Sequence, residues 1–215
     1  MQNIRIFFKK TGRAKYISHL NMNTLWARVI RRAGVNMWYT EGFHPHMYMT
    51  FALPLSLGVE SLCESVDMRL MDNISFDELL VKLNEALPEG IEIYKIAEPN
   101  INPKFINSAE YEVTLYSLSD YKDAFDSFIK KDNIEAVKKG KAGERVVNLK
   151  DYILSADSET QNSDLILNLK LLCGTQNTLN PQLLIDTFLK NININSEGAK
   201  IVRTAVFDKD GNLFN

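Results

Sequence analysis

The sequence has 215 residues, 45% hydrophobic and 24% charged, with two cysteines and a formal net charge of −2. A chain of this length can bury a sizeable hydrophobic core without disulfides or structural metals. Cys63 and Cys173 are far apart in the sequence, which argues against a disulfide framework or a cysteine-based zinc site. The first residues lack the pattern of a signal peptide and no stretch is as long as a membrane span, so we expect a cytoplasmic protein with no membrane contact.

Charge is unevenly distributed along the chain. Residues 1–52 contain eight basic residues, a single acidic residue (Glu41) and all three histidines, whereas the remainder is acidic. A basic segment on an acidic body favours an anionic partner such as nucleic acid or phosphate. The alternative is that these charges only balance acidic groups on the same fold.

The first hundred residues alternate between strand and helix patterns. Apolar residues at every second position predict a strand over residues 3–10. Ser18 is placed to cap a helix that runs to about Ala33 and carries its arginines on one face. A strand is predicted near residues 35–40, and another at residues 64–70.

A second helix and a strand complete this first half. Ser75 and Glu78 predict a capping box, and residues 91–96 predict a strand. The resulting order, strand–helix–strand–strand–helix–strand, is the ferredoxin-like split βαβ pattern. We therefore predict a first half over residues 1–98, followed by a linker at 99–108.

Residues 109–215 repeat this order more loosely. A strand begins the half, and Ser119 is placed to cap the helix that follows. Extended pieces flank a basic loop at 138–145, and Asn180 with Pro181 starts a further helix between strands at 164–173 and 200–207. The predicted fold class is α+β, with two ferredoxin-like halves in tandem, antiparallel sheets and helices on one face.

Two stretches, AKYISHLNMNTLWARVIRRAG (14–34) and YTEGFHPHMYMTFALPLSLGVES (39–61), carry a family resemblance. They resemble a bacterial family catalogued as radical-SAM-linked proteins, or the domain of unknown function 2344. The resemblance implies a cytoplasmic protein that works beside a radical SAM enzyme, on RNA or the translation machinery. It supplies no reaction, and the family often has an acid where this chain has Asn21. The chain is not itself the radical SAM enzyme, which needs three clustered cysteines.

The histidine segment, residues 39–51, permits a metal site. His44 and His46 are two positions apart, so in an extended segment their side chains point the same way, and His19 would be a third ligand. Such a site would hold zinc or iron. The alternative is that Pro45 stiffens a bend in which the histidines bond to the backbone. Apart from such a metal we expect no cofactor.

The same histidines permit catalysis. The predicted architecture resembles the paired ferredoxin-like domains of CRISPR RNA-processing endoribonucleases in element order. On that analogy His19 and His44, with Tyr16 and Lys15, would act as general acid and base on a ribose 2′-hydroxyl without metal.

The interpretation we favour is recognition of RNA or another anionic substrate. Ferredoxin-like sheets present aromatic rings for base stacking and basic side chains for phosphates. We expect the histidines to share one groove with the basic turn at residues 11–15. The candidate contacts are Arg13, Lys15, Arg28, Arg31, Arg32, Tyr39, Phe43, His44, His46 and Tyr48, with Trp38 beside them and Lys138, Lys139, Lys141 and Arg145 as an extension. Two alternatives stay open: the aromatics belong to the core, or the basic surface is an adaptor for the radical SAM protein.

Overall fold

The computed structural model describes residues 1–140, 143–174, 178–195 and 198–215. It is a mixed α+β structure in which most strand pairs are antiparallel. The chain divides into two compact units. Unit 1 comprises Met1–Ile106 and Phe214–Asn215, and unit 2 comprises Asn107–Leu213. Among the described residues, no helix combines the length and apolar character required to cross a membrane.

Unit 1 contains four strands and two α-helices. In chain order they are β1 (Gln2–Lys10), α1 (His19–Arg32), β2 (Met49–Phe51), β3 (Glu60–Leu70), α2 (Phe76–Ala86) and β4 (Ile91–Ala97), with 3₁₀ helices at Gly12–Tyr16 and Pro103–Phe105.

The sheet of unit 1 has β1 at its centre. β1 pairs antiparallel with β3 on one side, where Ile6 faces Val66, and with β4 on the other, where Ile6 faces Ile96. The short strand β2 pairs antiparallel with β3, where Thr50 faces Asp67. The order within this unit is therefore β4-β1-β3-β2.

Both helices of unit 1 pack on one face of this sheet. Ile4, Ile6 and Phe8 of β1 form a core with Trp26 of α1 and Leu79 of α2. Trp26 is fully buried and meets the Phe8 ring edge-on, with ring centroids 5.1 Å apart. The alternation and the helical spacing read in the sequence thus correspond to one shared core.

The opposite face of β1 is also buried, which the simple alternation did not indicate. Arg5 is 1% exposed, and its guanidinium donates two hydrogen bonds, 2.6 and 2.8 Å long, to the carboxylate of Asp67 on β3. The Phe214 ring lies 4.4 Å from the guanidinium carbon, so the C-terminal residues cover this ion pair. The bidentate pairing offsets part of the cost of burying the charge, while the third nitrogen, Nη1, is buried with no hydrogen-bond partner among the described residues.

The described residues of unit 2 form six strands and two α-helices. They are β5 (Ile106–Leu115), α3 (Lys122–Ile129), β6 (Glu135–Gly140), β7 (Gly143–Asn148), β8 (Ile153–Gln161), β9 (Asp164–Leu172), α4 (Pro181–Asn191) and β10 (Ala199–Asp208). The strand order within the unit is β10-β5-β9-β8, and β6 pairs with β7 as a separate hairpin. Phe125 of α3 meets Phe188 of α4 edge-on at 5.1 Å in its core.

The structure differs from the sequence predictions at four places. The strand predicted near residues 35–40 is not formed: Met37 and Tyr39 make only isolated bridges, and β2 begins later, at Met49. Ser119 does not cap α3, because it starts a 3₁₀ turn and the cap position falls on Tyr121, which makes no side-chain capping bond. The strand β8 was not predicted, and β5 begins at Ile106, inside the predicted linker.

The Arg5–Asp67 pair gives a test of the fold of unit 1. Asp67→Ala leaves the Arg5 guanidinium buried without its carboxylate, so we expect the free energy of unfolding to fall by about 3–5 kcal/mol. Urea unfolding followed by tryptophan fluorescence measures this, because both tryptophans, Trp26 and Trp38, lie in unit 1.

Glu92→Ala is the matched control. It removes the acid of the Lys9–Glu92 pair, which is 3.1 Å long but lies at the surface, with 38% and 63% of its side chains exposed. The expected loss there is below about 1 kcal/mol. Equal losses in the two variants would show that the buried pair does not contribute as argued.

Candidate functional site

Helix α1 presents the candidate site, and its ends are fixed by the sequence. The Ser18 hydroxyl accepts a hydrogen bond from the Asn21 backbone N–H, 3.2 Å long, which caps the first turn. Gly34 follows the helix with φ of +66°, a conformation that favours glycine. Met22, Trp26, Val29 and Ile30 are buried, so the opposite stripe of the helix, with Thr24, Arg28 and Arg31, faces solvent.

Most basic side chains of residues 1–52 are engaged within unit 1. Arg5 binds Asp67, Lys9 binds Glu92, and Lys15 lies 3.6 Å from Glu60. The buried Lys10 donates to the Ile17 carbonyl oxygen, 2.8 Å away, and Arg32 donates to the Ala86 carbonyl oxygen. Arg13, Arg28 and Arg31 are exposed, and within the described part of the chain their guanidinium groups have no ion-pair or hydrogen-bond partner.

The histidine segment forms a closed loop, residues 40–46, which we call the histidine loop. Tyr39 and Met47 form an antiparallel bridge at its base, and the Thr40 N–H donates to the His46 carbonyl oxygen at 2.8 Å. The Thr40 hydroxyl also accepts from the His46 N–H, 3.1 Å away. Phe43, at the tip, is fully exposed. The predicted stiff turn is therefore present.

His46 is oriented by its Nδ1 atom. This nitrogen lies 3.0 Å from the Thr40 hydroxyl and 3.3 Å from the His44 carbonyl oxygen. The Thr40 hydroxyl also lies 3.3 Å from the His46 carbonyl oxygen, to which it can donate. We predict that it donates to the nearer Nδ1 atom, which would leave the proton of the neutral ring on Nε2. Nε2 is then the ring atom available to a ligand.

A groove of about 670 Å³, the Tyr39 groove, runs between α1 and the histidine loop. Arg28 and Arg31 of α1 line one side, and Tyr39 and His46 line the other. The remaining lining residues are Asn23, Thr24 and Ala27 on α1, and Pro45, Met47 and Met49. Four of the sequence-predicted contacts are thus brought together. Two unpaired guanidinium groups beside a phenol ring and an imidazole can bind a phosphate and an aromatic base at once.

A second groove of about 790 Å³, the Tyr16 groove, lies on the other side of α1. Tyr16, Asn21, Arg28 and Arg32 line it with Pro88, Ile17, Thr24, Leu25 and Val29. The 3₁₀ helix that carries Tyr16 is held against Gly90, whose carbonyl oxygen accepts from the Thr11 N–H at 2.8 Å. A Cβ at Gly90 would lie 2.5 Å from the Thr11 carbonyl oxygen, so this approach requires glycine.

Other predicted contacts lie elsewhere. We expected the histidines to share one groove with the basic turn at residues 11–15. Lys15 of that turn faces Glu60 and does not line the Tyr39 groove, where His46 lies. The Trp38 and Tyr48 rings both lie 4.6 Å from the guanidinium carbon of Arg69, and this packing occupies a face of each ring. Tyr48 therefore supports the base of the histidine loop.

The three histidines do not form a cluster. His19 lies against the Phe51 ring, with centroids 5.2 Å apart, and borders a small cavity of about 20 Å³. Among the described residues, no group of three or more His, Cys, Asp or Glu side chains is placed to hold a metal ion. The expected site of His19, His44 and His46 is therefore not assembled, because the loop and the start of α1 hold the rings in different surroundings.

The cavity beside His19 contains two charged residues that the sequence interpretation missed. Lys10 and Glu64 are 4% and 5% exposed and both line it. The sequence contained a signal for Lys10. It is two positions from Phe8 on β1, so its side chain points toward the same, core-facing side of the strand.

The basic loop of unit 2 is described in part. Lys138 donates to the Thr178 carbonyl oxygen and lies over the Tyr152 ring, and burial, followed by the nearby Arg145 charge, lowers its pKa. Arg145 is exposed. The side chain of Lys139 and all of Lys141 lie outside the described residues.

Thr40 gives a test of the histidine loop. In Thr40→Val, Nδ1 of His46 loses its donor and keeps only the His44 carbonyl oxygen, an acceptor. We expect the neutral His46 ring to shift from the Nε2–H toward the Nδ1–H tautomer, measured by ¹⁵N chemical shifts of the imidazoles. Thr50→Val, on β2, is the matched control and leaves the ratio unchanged. An unchanged ratio in Thr40→Val would refute the assigned hydrogen bond.

Comparisons with known proteins are consistent with this α+β architecture. The chain is similar to one in the "Crystal Structure of a Cbf5-Nop10-Gar1 Complex", with a TM-score of 0.53 and 11% sequence identity. The match covers 96% of this chain and 50% of that chain, so this chain spans half of that chain's length. At this identity the likeness concerns the fold alone.

The search of curated proteins gave no match. A family model described as "Uncharacterized protein conserved in bacteria (DUF2344)" matches residues 3–181, which is most of the sequence. The chain belongs to the DUF2344 family.

Proposed function

We propose that unit 1 binds RNA along the exposed face of α1, and that the chain thereby serves as a substrate-binding accessory protein. The observation that carries this proposal is the Tyr39 groove. There Arg28 and Arg31, both without an intramolecular partner among the described residues, face Tyr39 and His46.

The chemistry of the groove favours RNA over a simple anion. An inorganic anion needs only the cations, whereas the groove also offers an exposed phenol ring and an imidazole whose Nε2 is available. Single-stranded RNA supplies both partners, because its unpaired bases stack on aromatic rings while its phosphates meet arginine. Phe43, at the tip of the histidine loop, is fully exposed and offers a further aromatic ring on which a base could stack.

We infer further that each unit is a ferredoxin-like half. In unit 1 the first and third strands pair at the centre, the last strand lies beside the first, and the second beside the third. In unit 2, once the β6–β7 hairpin is set aside, β5, β8, β9 and β10 follow the same order. This is the order of the split βαβ fold, a common platform for RNA.

The partner we propose is a radical SAM enzyme, which would supply the chemistry. The support is the family resemblance of residues 14–34 and 39–61. The chain's two cysteines, Cys63 and Cys173, are too few to hold an iron–sulfur cluster, so that chemistry would lie in another protein. A sequence with only two, widely separated cysteines also suits the cytoplasm as the compartment. Reciprocal purification of the two proteins, with and without RNA, tests the partnership. No complex under either condition would refute the partnership and leave RNA binding unaffected.

A metal-independent ribonuclease is the second candidate, and one observation favours it. His19, at the surface, borders the same cavity as the buried Lys10 and Glu64, so a base and two further proton-transfer groups lie close together. Incubation of the protein with labelled RNA in EDTA tests it. Discrete new RNA ends that disappear in His19→Gln would establish cleavage, and intact RNA would leave binding as the function.

Removal of both unpaired arginines of the groove tests RNA binding directly. Arg28→Ala/Arg31→Ala should weaken binding of labelled single-stranded RNA by roughly tenfold, the loss of two phosphate contacts of about 0.7 kcal/mol each. The slope of log affinity against log salt should fall in magnitude by about 1.4, because each contact to a single strand contributes about 0.7. Fluorescence anisotropy across a salt series measures both quantities.

The matched control is Lys9→Ala/Lys82→Ala. It removes the same charge from unit 1, but Lys9 and Lys82 pair with Glu92 and Glu78 at the surface. We expect a smaller change in affinity than in the arginine variant. If the two double variants lose affinity equally, the attraction is a general effect of net charge and the proposed groove is wrong.

A further inference from the structure

The Tyr39 groove and the Tyr16 groove share one wall. Thr24 and Arg28 line both of them, whereas the remaining lining residues belong to only one. Thr24 and Arg28 are four residues apart on α1, so they lie one above the other along a ridge of the helix. The two grooves are therefore the two flanks of a single crest.

The spacing of the other helix residues agrees with this geometry. Asn23, Ala27 and Arg31 form a row with intervals of four and line only the Tyr39 groove. Asn21 and Leu25 form the parallel row on the other flank and line only the Tyr16 groove.

The flanks offer equivalent chemistry. Each groove has an aromatic ring at its outer wall, Tyr39 on one side and the 65% exposed Tyr16 on the other. Each also has an asparagine on α1, Asn23 or Asn21. The Asn23 amide donates one N–H to the His19 carbonyl oxygen, 3.0 Å away, and its second N–H and its oxygen are left for the edge of a base. Volumes of about 670 and 790 Å³ each suit one ligand of mononucleotide size.

Arg28 is the charged group between these two places. Its guanidinium has no intramolecular partner within the described residues, and the five donors of an arginine can reach a phosphate that crosses the crest. Beside it, Thr24 is small, and its hydroxyl is 3.4 Å from the Leu20 carbonyl oxygen of the same helix. An RNA strand can therefore cross α1 at Thr24 without meeting a long side chain.

We propose that the unit recognised is a step of two consecutive unpaired nucleotides, with one base in each groove and the linking phosphodiester on Arg28. This inference rests on the proposed RNA binding and adds the length of the recognised segment and the place of its charge. It also predicts that neither groove alone accounts for the affinity.

The test uses the dinucleoside monophosphate ApA, its neutral methylphosphonate analogue and AMP as probes of the full chain, with binding followed by NMR of the ¹⁵N-labelled protein. ApA should shift signals from both grooves, including the Arg28 Nε–H, and bind about tenfold more tightly than the methylphosphonate. AMP should bind more weakly than ApA. The deoxy form of ApA shows whether the 2′-hydroxyl contributes.

Arg28→Ala should abolish the preference for the charged linkage, so that ApA and its methylphosphonate bind with equal affinity. Arg31→Ala is the matched control: it removes the same charge from one flank, where ApA has no phosphate, and should therefore preserve the ratio between the two probes. Thr24→Leu adds bulk at the crest, which only a ligand that spans both grooves has to cross, so it should weaken ApA more than AMP.

Two results would overturn this inference alone: AMP binding as tightly as ApA, or Arg28→Ala retaining the preference for the charged linkage. In either case a longer RNA would still respond to Arg28→Ala/Arg31→Ala, and the proposed RNA binding would stand. If that longer RNA does not respond either, the proposed function fails together with the dinucleotide step.

Discussion

The packing of Trp26 on the sheet determines where every candidate contact of α1 lies. Its ring is fully buried against Phe8, and among the described residues its indole nitrogen has no hydrogen-bond partner. Apolar packing alone therefore fixes the rotation of the helix about its axis. Since successive residues of an α-helix are about 100° apart, burying Trp26 and Val29 turns Thr24 and Arg28 outward. The same packing therefore sets both the core of unit 1 and the position of the crest between the two grooves.

The basic segment shows why charge counted along a sequence is a weak guide to a surface. Arg5 and Lys15 contributed to the positive count, yet each is matched by an acid of β3, Asp67 and Glu60 respectively. Those acids were counted in the acidic remainder of the chain. Pairing across strands cancels the contribution of such charges to the surface potential. The positive potential that remains is local and is centred on the crest of α1. The proposed function accordingly rests on a few unpaired guanidinium groups and on their geometry.

Elements whose signals are local were predictable. Helix α1 followed from its buried stripe and the Ser18 cap, and α4 from Asn180 and Pro181, whose cap and first-turn positions the structure confirms. Strand β8 was missed because its side chains are mostly exposed and its register depends on β9. The grooves could not be predicted from the sequence either. They depend on where the histidine loop packs against α1, and no hydrophobic periodicity contains that information.

The placement of the histidines bears on whether this surface binds or cleaves RNA. Cleavage at a ribose 2′-hydroxyl requires a base and an acid on opposite sides of one phosphodiester. His46 lies in the Tyr39 groove with its Nδ1 held by Thr40, whereas His19 lies against Phe51 beside a cavity large enough for little more than a water molecule. Each ring thus has its own surroundings, and neither has the other as an acid–base partner. In the proposed function these grooves would hold nucleotides, and the chemical step would fall to a partner enzyme. Open grooves would suit such a partner better than an enclosed pocket, because a bound base would remain accessible from the solvent side.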